Sequence, residues 1–133
     1  MATLWNMKVD YSRLKTTAPL SKMRPAILLF GDSITQFGYG ESIATNTPPS
    51  GWASLLSSAY SRRADIINRG YSGYNTRHAL DVLPSALEGL DGRDLLYCTV
   101  FFGANDAALP GTRQNVPVEE YSENVKEIVR RLR

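Results

Sequence analysis

The 133-residue chain is expected to fold as one α/β unit, a parallel sheet with helices on both faces. Three observations carry this expectation. Short continuous apolar runs alternate with stretches of helical periodicity, in the order β-α-β-α-β-α. Each of the three runs is followed by a polar, glycine-containing turn. The last run, LLYCTVFF at 95–102, is apolar at successive positions, as a strand covered on both faces requires.

Taken in order, residues 1–24 show no strong period and close on Lys22-Met23-Arg24-Pro25, where proline disfavours helix at the residue before it. They are expected to be a weakly structured extension to a domain spanning 25–133. AILLFGDSITQ, from Ala26 to Gln36, is the first strand and its turn, the apolar run stopping at Gly31. Residues 37–51, rich in Gly, Pro, Ser and Thr, read as a long loop. Such a loop at a strand's carboxyl end either shapes a binding site or is a plain surface insertion.

Trp52, Leu55, Leu56 and Ala59 follow a helical spacing, and Ala64 to Asn68 is the second strand. RGYSGYN at 69–75 is a glycine-rich turn. A helix capped near Thr76 then carries Ala79, Leu80, Leu83 and Leu87, with Pro84 expected to end or kink it. After a turn at Gly89 to Arg93 the third strand ends in Gly103-Ala104-Asn105-Asp106. Pro117 is read as the first residue of the last helix, with Glu119 and Glu120 complementing its N-terminus. Val118, Tyr121, Val125, Ile128, Val129 and Leu132 form its apolar stripe. Arg130, Arg131 and Arg133 are cations at its C-terminus.

Composition removes several function classes. Fifteen basic and thirteen acidic residues give a net charge of +2 and are mixed along the chain, so no nucleic-acid-binding stripe is expected. Cys98 is the only cysteine, which rules out an internal disulfide. Its apolar run makes it a small hydrophobe rather than a nucleophile. No apolar segment approaches the length of a membrane span. The first residues lack a secretory apolar region, so a cytoplasmic, reducing compartment is expected. Their Lys, Arg, Ser and Thr content leaves a mitochondrial presequence open, against which Asp10 and weak amphipathicity speak.

In a parallel sheet the turns holding Ser33, Gly73 and Asn105 gather at one edge, where open α/β sheets place their ligands. A serine there offers a nucleophile, a glycine lets a backbone N–H approach closely, and an asparagine supplies an uncharged donor. Asp32 and Ser33 have a second reading, as simple cap residues of a following helix.

GDSIT at 31–35, NRGYSGYNT at 68–76 and FFGAND at 101–106 resemble the first three sequence blocks of the SGNH, or GDSL, hydrolases. The strings are similar to those of the isoamyl acetate-hydrolysing esterase branch, and the resemblance runs from about Arg24 to the end of the chain. It implies a flavodoxin-like three-layer fold, incomplete here at about three strands and three helices, with strand order 2-1-3. It implies a serine esterase of small, acetate-like esters working through an acyl-enzyme, with no metal and no organic cofactor. Ser33 would be the nucleophile and a backbone donor, Gly73 a second backbone donor, and Asn105 a side-chain donor. Asp32, Tyr74 and Asn75 are candidate substrate-binding residues. Asp32 and Asp106 also suit holding the turns, and Asn75 and Thr76 capping the next helix.

The family's fourth block, an Asp-x-x-His, is absent after Asn105. The only histidine is His78, with no carboxylate evidently placed to orient it, so the base is unassigned. The last helix closes at Arg133 without a glycine cap or a return strand, and the third strand would be an open apolar edge. The expectation is therefore a chain truncated before its base and weakly active or inactive alone. Two alternatives stand beside it. One is a non-catalytic SGNH-like binding or interaction module, such as a short isoform. The other is a flavodoxin-like nucleotide or FMN binder, for which no Gly-x-Gly-x-x-Gly or P-loop string is present.

Overall fold

The apolar run at Ala26 becomes the central strand of the sheet. In a computed structural model, which describes residues 24–40 and 51–133, three parallel strands lie in the order β2-β1-β3. The elements are β1 (Ala26–Gly31), α1 (Ser33–Gln36), α2 (Trp52–Ala59), β2 (Asp65–Gly70), α3 (Thr76–Leu87), β3 (Leu95–Phe101) and α4 (Val118–Arg131). Strand order and layering follow the expectation for an incomplete flavodoxin-like α/β fold. The proposed N-terminal extension and most of the 37–51 loop lie outside the described residues. Where that loop begins, Phe37–Tyr39 forms a 3-10 turn continuing α1.

β1 separates two apolar clusters because its side chains alternate between faces. Leu28 and Phe30 pack with Ala79, Leu83 and Ala86 of α3 and with Ile128 of α4. Ile27 and Leu29 face the other way, onto Ala53 of α2 and Ala64. Leu28, Leu29 and Phe30 are fully buried, each worth about 1.5–3 kcal/mol relative to exposure. The ring of Phe30 meets Phe102 and Tyr71 edge-on, at centroid distances of 4.8 and 6.1 Å.

Several local expectations are corrected. The helical spacing at Trp52 is real, but Ala53 is the residue of α2 that is buried, with Leu56 packed beside it. Trp52 and Leu55 are exposed, and the Trp52 indole donates instead to the Ile34 carbonyl at 3.2 Å. α3 runs through Pro84 to Leu87. Proline forfeits a single helical N–H there, while buried Leu83 and Ala86 anchor the helix on both sides of it. Pro117 caps α4 rather than opening it, because its ψ of 148° is extended. β2 reaches Gly70, since Arg69 and Gly70 still pair with Phe30 and Gly31. β3 is not covered on both faces. Cys98 and Val100 pack into the α3–α4 cluster, whereas Tyr97 and Phe101 are 62% and 53% exposed.

Candidate active site

Register brings the turns together. Gly31 of β1 pairs with Gly70 of β2 on one side and Phe101 of β3 on the other, so the turns after all three strands leave from one level. Ser33, Gly73 and Asn105 therefore stand at the same carboxyl edge.

The Ser33 turn is held by close packing. A Cβ on Gly31 would lie 2.1 Å from Thr35 Oγ1, and one on Gly70 would lie 2.0 Å from the Gln36 backbone nitrogen. Only glycine at both strand ends lets α1 sit this near the sheet. Asp32 is 1% exposed and caps α1, its Oδ1 accepting the Ile34 N–H at 2.9 Å. Its own N–H donates to the Phe101 carbonyl at 3.1 Å, locking the turn to β3. The Asn68 side chain donates to the Thr35 carbonyl at 2.7 Å, and Gln36 Oε1 accepts the Ser72 N–H at 2.7 Å. Ser33 itself is half-buried at the first helical position.

The second turn is built around a left-handed glycine. Gly73 has φ +80°, a conformation that side chains rarely adopt. Among the described residues neither the Gly73 N–H nor the Ser33 N–H meets an acceptor. Tyr71 and Tyr74 stack at 5.3 Å between centroids, and burial raises the Tyr71 phenol above its ordinary range. Gly73 and Tyr74 line a cavity of about 410 Å³ together with Ser72, His78, Thr112 and Gln114.

The third turn is held by side chains. Asn105 Nδ2 donates to the Tyr74 carbonyl at 2.8 Å, and its Oδ1 accepts from Gln114 Nε2 at 3.2 Å. Asp106, 3% exposed, accepts the Thr76 N–H at 2.9 Å and the Thr76 hydroxyl at 2.5 Å through one oxygen. Asn124 of α4 donates to that hydroxyl at 3.1 Å. The N-terminus of α3, the third turn and α4 thus form one network. Asp106 holds the turn, the role expected for it.

The three residues expected to bind substrate differ in exposure. Asp32 and Asn75 are each 1% exposed and hold helix N-termini. Tyr74 remains at the cavity. Asn75 forms a reciprocal box with His78: its Oδ1 accepts the His78 N–H at 3.1 Å, and its own N–H donates to His78 Nδ1 at 3.3 Å. A neutral imidazole that accepts at Nδ1 carries its proton on Nε2, leaving no lone pair to take a proton from serine. Residues that motif reading passed over, Gln36, Asn68, Gly70 and Gln114, do much of the positioning. Asn68 and Gly70 lay inside a recognised string. Gln114 had no sequence signal.

Among the described residues no group of three or more His, Cys, Asp or Glu side chains is placed to hold a metal ion. Nor is any described helix long and apolar enough to cross a membrane. Cys98 is partly buried and its thiol is pushed up to about 11 by desolvation, so it is not a thiolate nucleophile.

A parallel sheet in the order β2-β1-β3 with Ser33, Gly73 and Asn105 at one carboxyl edge fits the sequence resemblance to the SGNH hydrolases. Residues 29–133 match the model of the GDSL-like Lipase/Acylhydrolase family, and the chain belongs to that family. It is 50% identical over 114 residues to a GDSL esterase/lipase of Arabidopsis thaliana, a match covering 84% of this chain and 44% of that relative. It is 44% identical over 112 residues to the isoamyl acetate-hydrolyzing esterase 1 homolog of Mus musculus, covering 82% of this chain and 42% of the other. Among solved structures, AlinE4, an SGNH-hydrolase family esterase, superposes with a TM-score of 0.61 at 27% identity, covering 83% of this chain and 53% of that one. The chain thus spans less than half the length of the two curated relatives.

Proposed function

We propose that this chain carries the nucleophile and oxyanion-binding half of a serine esterase that hydrolyses small acyl esters. The observation that supports this most is the register that sets the turns of Ser33, Gly73 and Asn105 at one carboxyl edge, with the N–H groups of Ser33 and Gly73 meeting no acceptor among the described residues. Ser33 Oγ would form a bond to the ester carbonyl carbon as its proton passes to a base. The carbonyl electron pair moves onto oxygen, where fixed donors in a partly desolvated edge stabilise the charge as it develops. Collapse breaks the bond to the alcohol, which leaves with a proton, and Ser33 holds the acyl group. Water repeats the sequence and restores the hydroxyl.

The base and its orienting carboxylate are proposed to come from a further segment of the gene product, an Asp-x-x-His as the family resemblance implies. Two facts support this: the match to 42–44% of the relatives' length and the open apolar side of β3. His78 is already committed to the α3 cap. Without a base, the rate falls by about 10⁴–10⁶-fold. A preference for acetate-like acyl groups rests on the name of the mouse relative. The esterase names of the relatives favour an enzyme over a purely interacting module.

The test is to read the transcript past the Arg133 codon and assay p-nitrophenyl acetate hydrolysis by the longest product and by the 133-residue chain. Ester hydrolysis by the longest product, lost in Ser33→Ala, is the expected result. Equal activity of the short chain would overturn the missing-base proposal, and undiminished activity of the serine variant would overturn the nucleophile.

A further inference from the structure

We infer that Gln114 is a positioning residue for the Gly73 and Asn105 donors, an inference that rests on the esterase reading above. Its side chain spans two turns that are distant in sequence. Gln114 Nε2 donates to the Gly73 carbonyl at 3.0 Å and to Asn105 Oδ1 at 3.2 Å, while Asn105 Nδ2 donates to the Tyr74 carbonyl at 2.8 Å.

Chemistry fixes the orientation of both amides. The carbonyls of Gly73 and Tyr74 can only accept, so the atoms facing them are the two amide nitrogens. The remaining Asn105 atom toward Gln114 is therefore its oxygen. A reversed Asn105 would place oxygen against oxygen at Tyr74 and leave nothing to receive the Gln114 N–H. Gln114 thereby keeps the Asn105 NH2 group turned toward the Gly73–Tyr74 side of the edge, with one hydrogen on Tyr74 and the other unengaged among the described residues.

The same contact holds the Gly73 peptide from its carbonyl side, and Gly73 in its left-handed conformation is free of side-chain restraint. The loop does not depend on this side chain for its own place, because the Gln114 main-chain carbonyl accepts from Asn75 Nδ2 at 2.9 Å. Donating capacity at position 114, rather than bulk, is what the two turns require.

The experiment measures acetylation of Ser33 by p-nitrophenyl acetate in the longest gene product, which carries the proposed base, from the burst of p-nitrophenolate and by intact-mass spectrometry. Thermal melts and the Asn105 side-chain amide signals in a 15N–1H spectrum are recorded on the same samples. Gln114→Ala is expected to slow acetylation about ten-fold, less than the about 10²–10³-fold typical of deleting an oxyanion donor outright. Gln114→Lys, which keeps a donor, stays within about three-fold of the parent. Gln114→Glu, an acceptor only, is slowest, because Asn105 turns its NH2 group toward the carboxylate and its amide signals move.

An order of Lys, Ala, Glu from fastest to slowest, independent of melting temperature, supports the inference. Rates that depend on Ser33 but ignore residue 114, or that follow melting temperature alone, overturn the inference and leave the esterase reading standing. Acetylation that persists unchanged in Ser33→Ala overturns the nucleophile reading and the inference with it.

Discussion

Strands β1 and β3 are alike in composition and opposite in surroundings. All six residues of AILLFG are buried, while five of the seven in LLYCTVF are exposed. β1 is paired on both edges and covered by helices on both faces. Among the described residues β3 is paired only with β1, and α2 packs on the β1–β2 side of the shared face, leaving Leu95, Tyr97 and Phe101 exposed. Strand formation follows from the apolar, β-branched and aromatic run, but burial follows from neighbours. The contrast extends to the site. The Ser33 turn stands on the central strand and combines close glycine packing with side-chain hydrogen bonds of Asp32, Asn68 and Gln36. The Asn105 turn stands on the edge strand and is set by side-chain hydrogen bonds from Gln114 and, through Asp106, from Thr76.

The contrast can be broken or sharpened by substitution. Leu29→Ala in β1 should give the largest effect, about 2–5 kcal/mol in urea denaturation, as a cavity opens between the sheet and α2. Asp106→Ala should follow at about 1–3 kcal/mol, because the buried Thr76 N–H loses its acceptor. It should also loosen the β3 turn, slowing Ser33 acetylation more than it lowers the melting temperature. Tyr97→Ala in β3 should stay within about 0.5 kcal/mol. A Tyr97 effect as large as that of Leu29 would mean that the open side of β3 is covered in solution, and the comparison would fail.

The smallest effect concerns acid. Glu127 is held at about 2 by hydrogen bonds from Arg130 and Arg131, and Glu120 is lowered by Arg77, which links α3 to α4. A carboxylate lowered on folding contributes stability above its unfolded value, near 4.5, which is lost as pH falls toward about 2. These groups lie at the surface within reach of solvent, so the contribution is small. Glu127→Gln should lower the melting temperature slightly at pH 7 and leave it unchanged near pH 2. Cys98 provides a separate check of the packed face of β3. With its thiol near 11, about one molecule in a thousand is thiolate at pH 8, so alkylation by iodoacetamide should be far slower than in urea.

Element order was legible because each strand is a short apolar run stopped by glycine and each major helix has a recognisable start. Leu28 and Leu29 announce a strand buried on both faces, and Asn75 and Thr76 announce the α3 cap. The three donor-bearing turns were legible for the same reason, since parallel pairing forces every carboxyl strand end to one edge. Which apolar residues of α2 would be buried was not legible. Trp52 and Leu55 fit a helical spacing as well as Ala53 and Leu56 do, and only the sheet face decides between them.

Local chemistry in the sequence thus determined the strands, the caps and the identity of the groups at the edge. Tertiary structure alone decided three things. It buried Ala53 of α2 rather than Trp52 or Leu55, and it left Tyr97 and Phe101 of β3 exposed. It also brought Gln114 against Gly73, 41 residues away in the chain. The physical reason is common to all three. Periodicity and turn chemistry are properties of a few consecutive residues, whereas burial and the partner of an amide depend on what the rest of the fold places within about 3 Å of it.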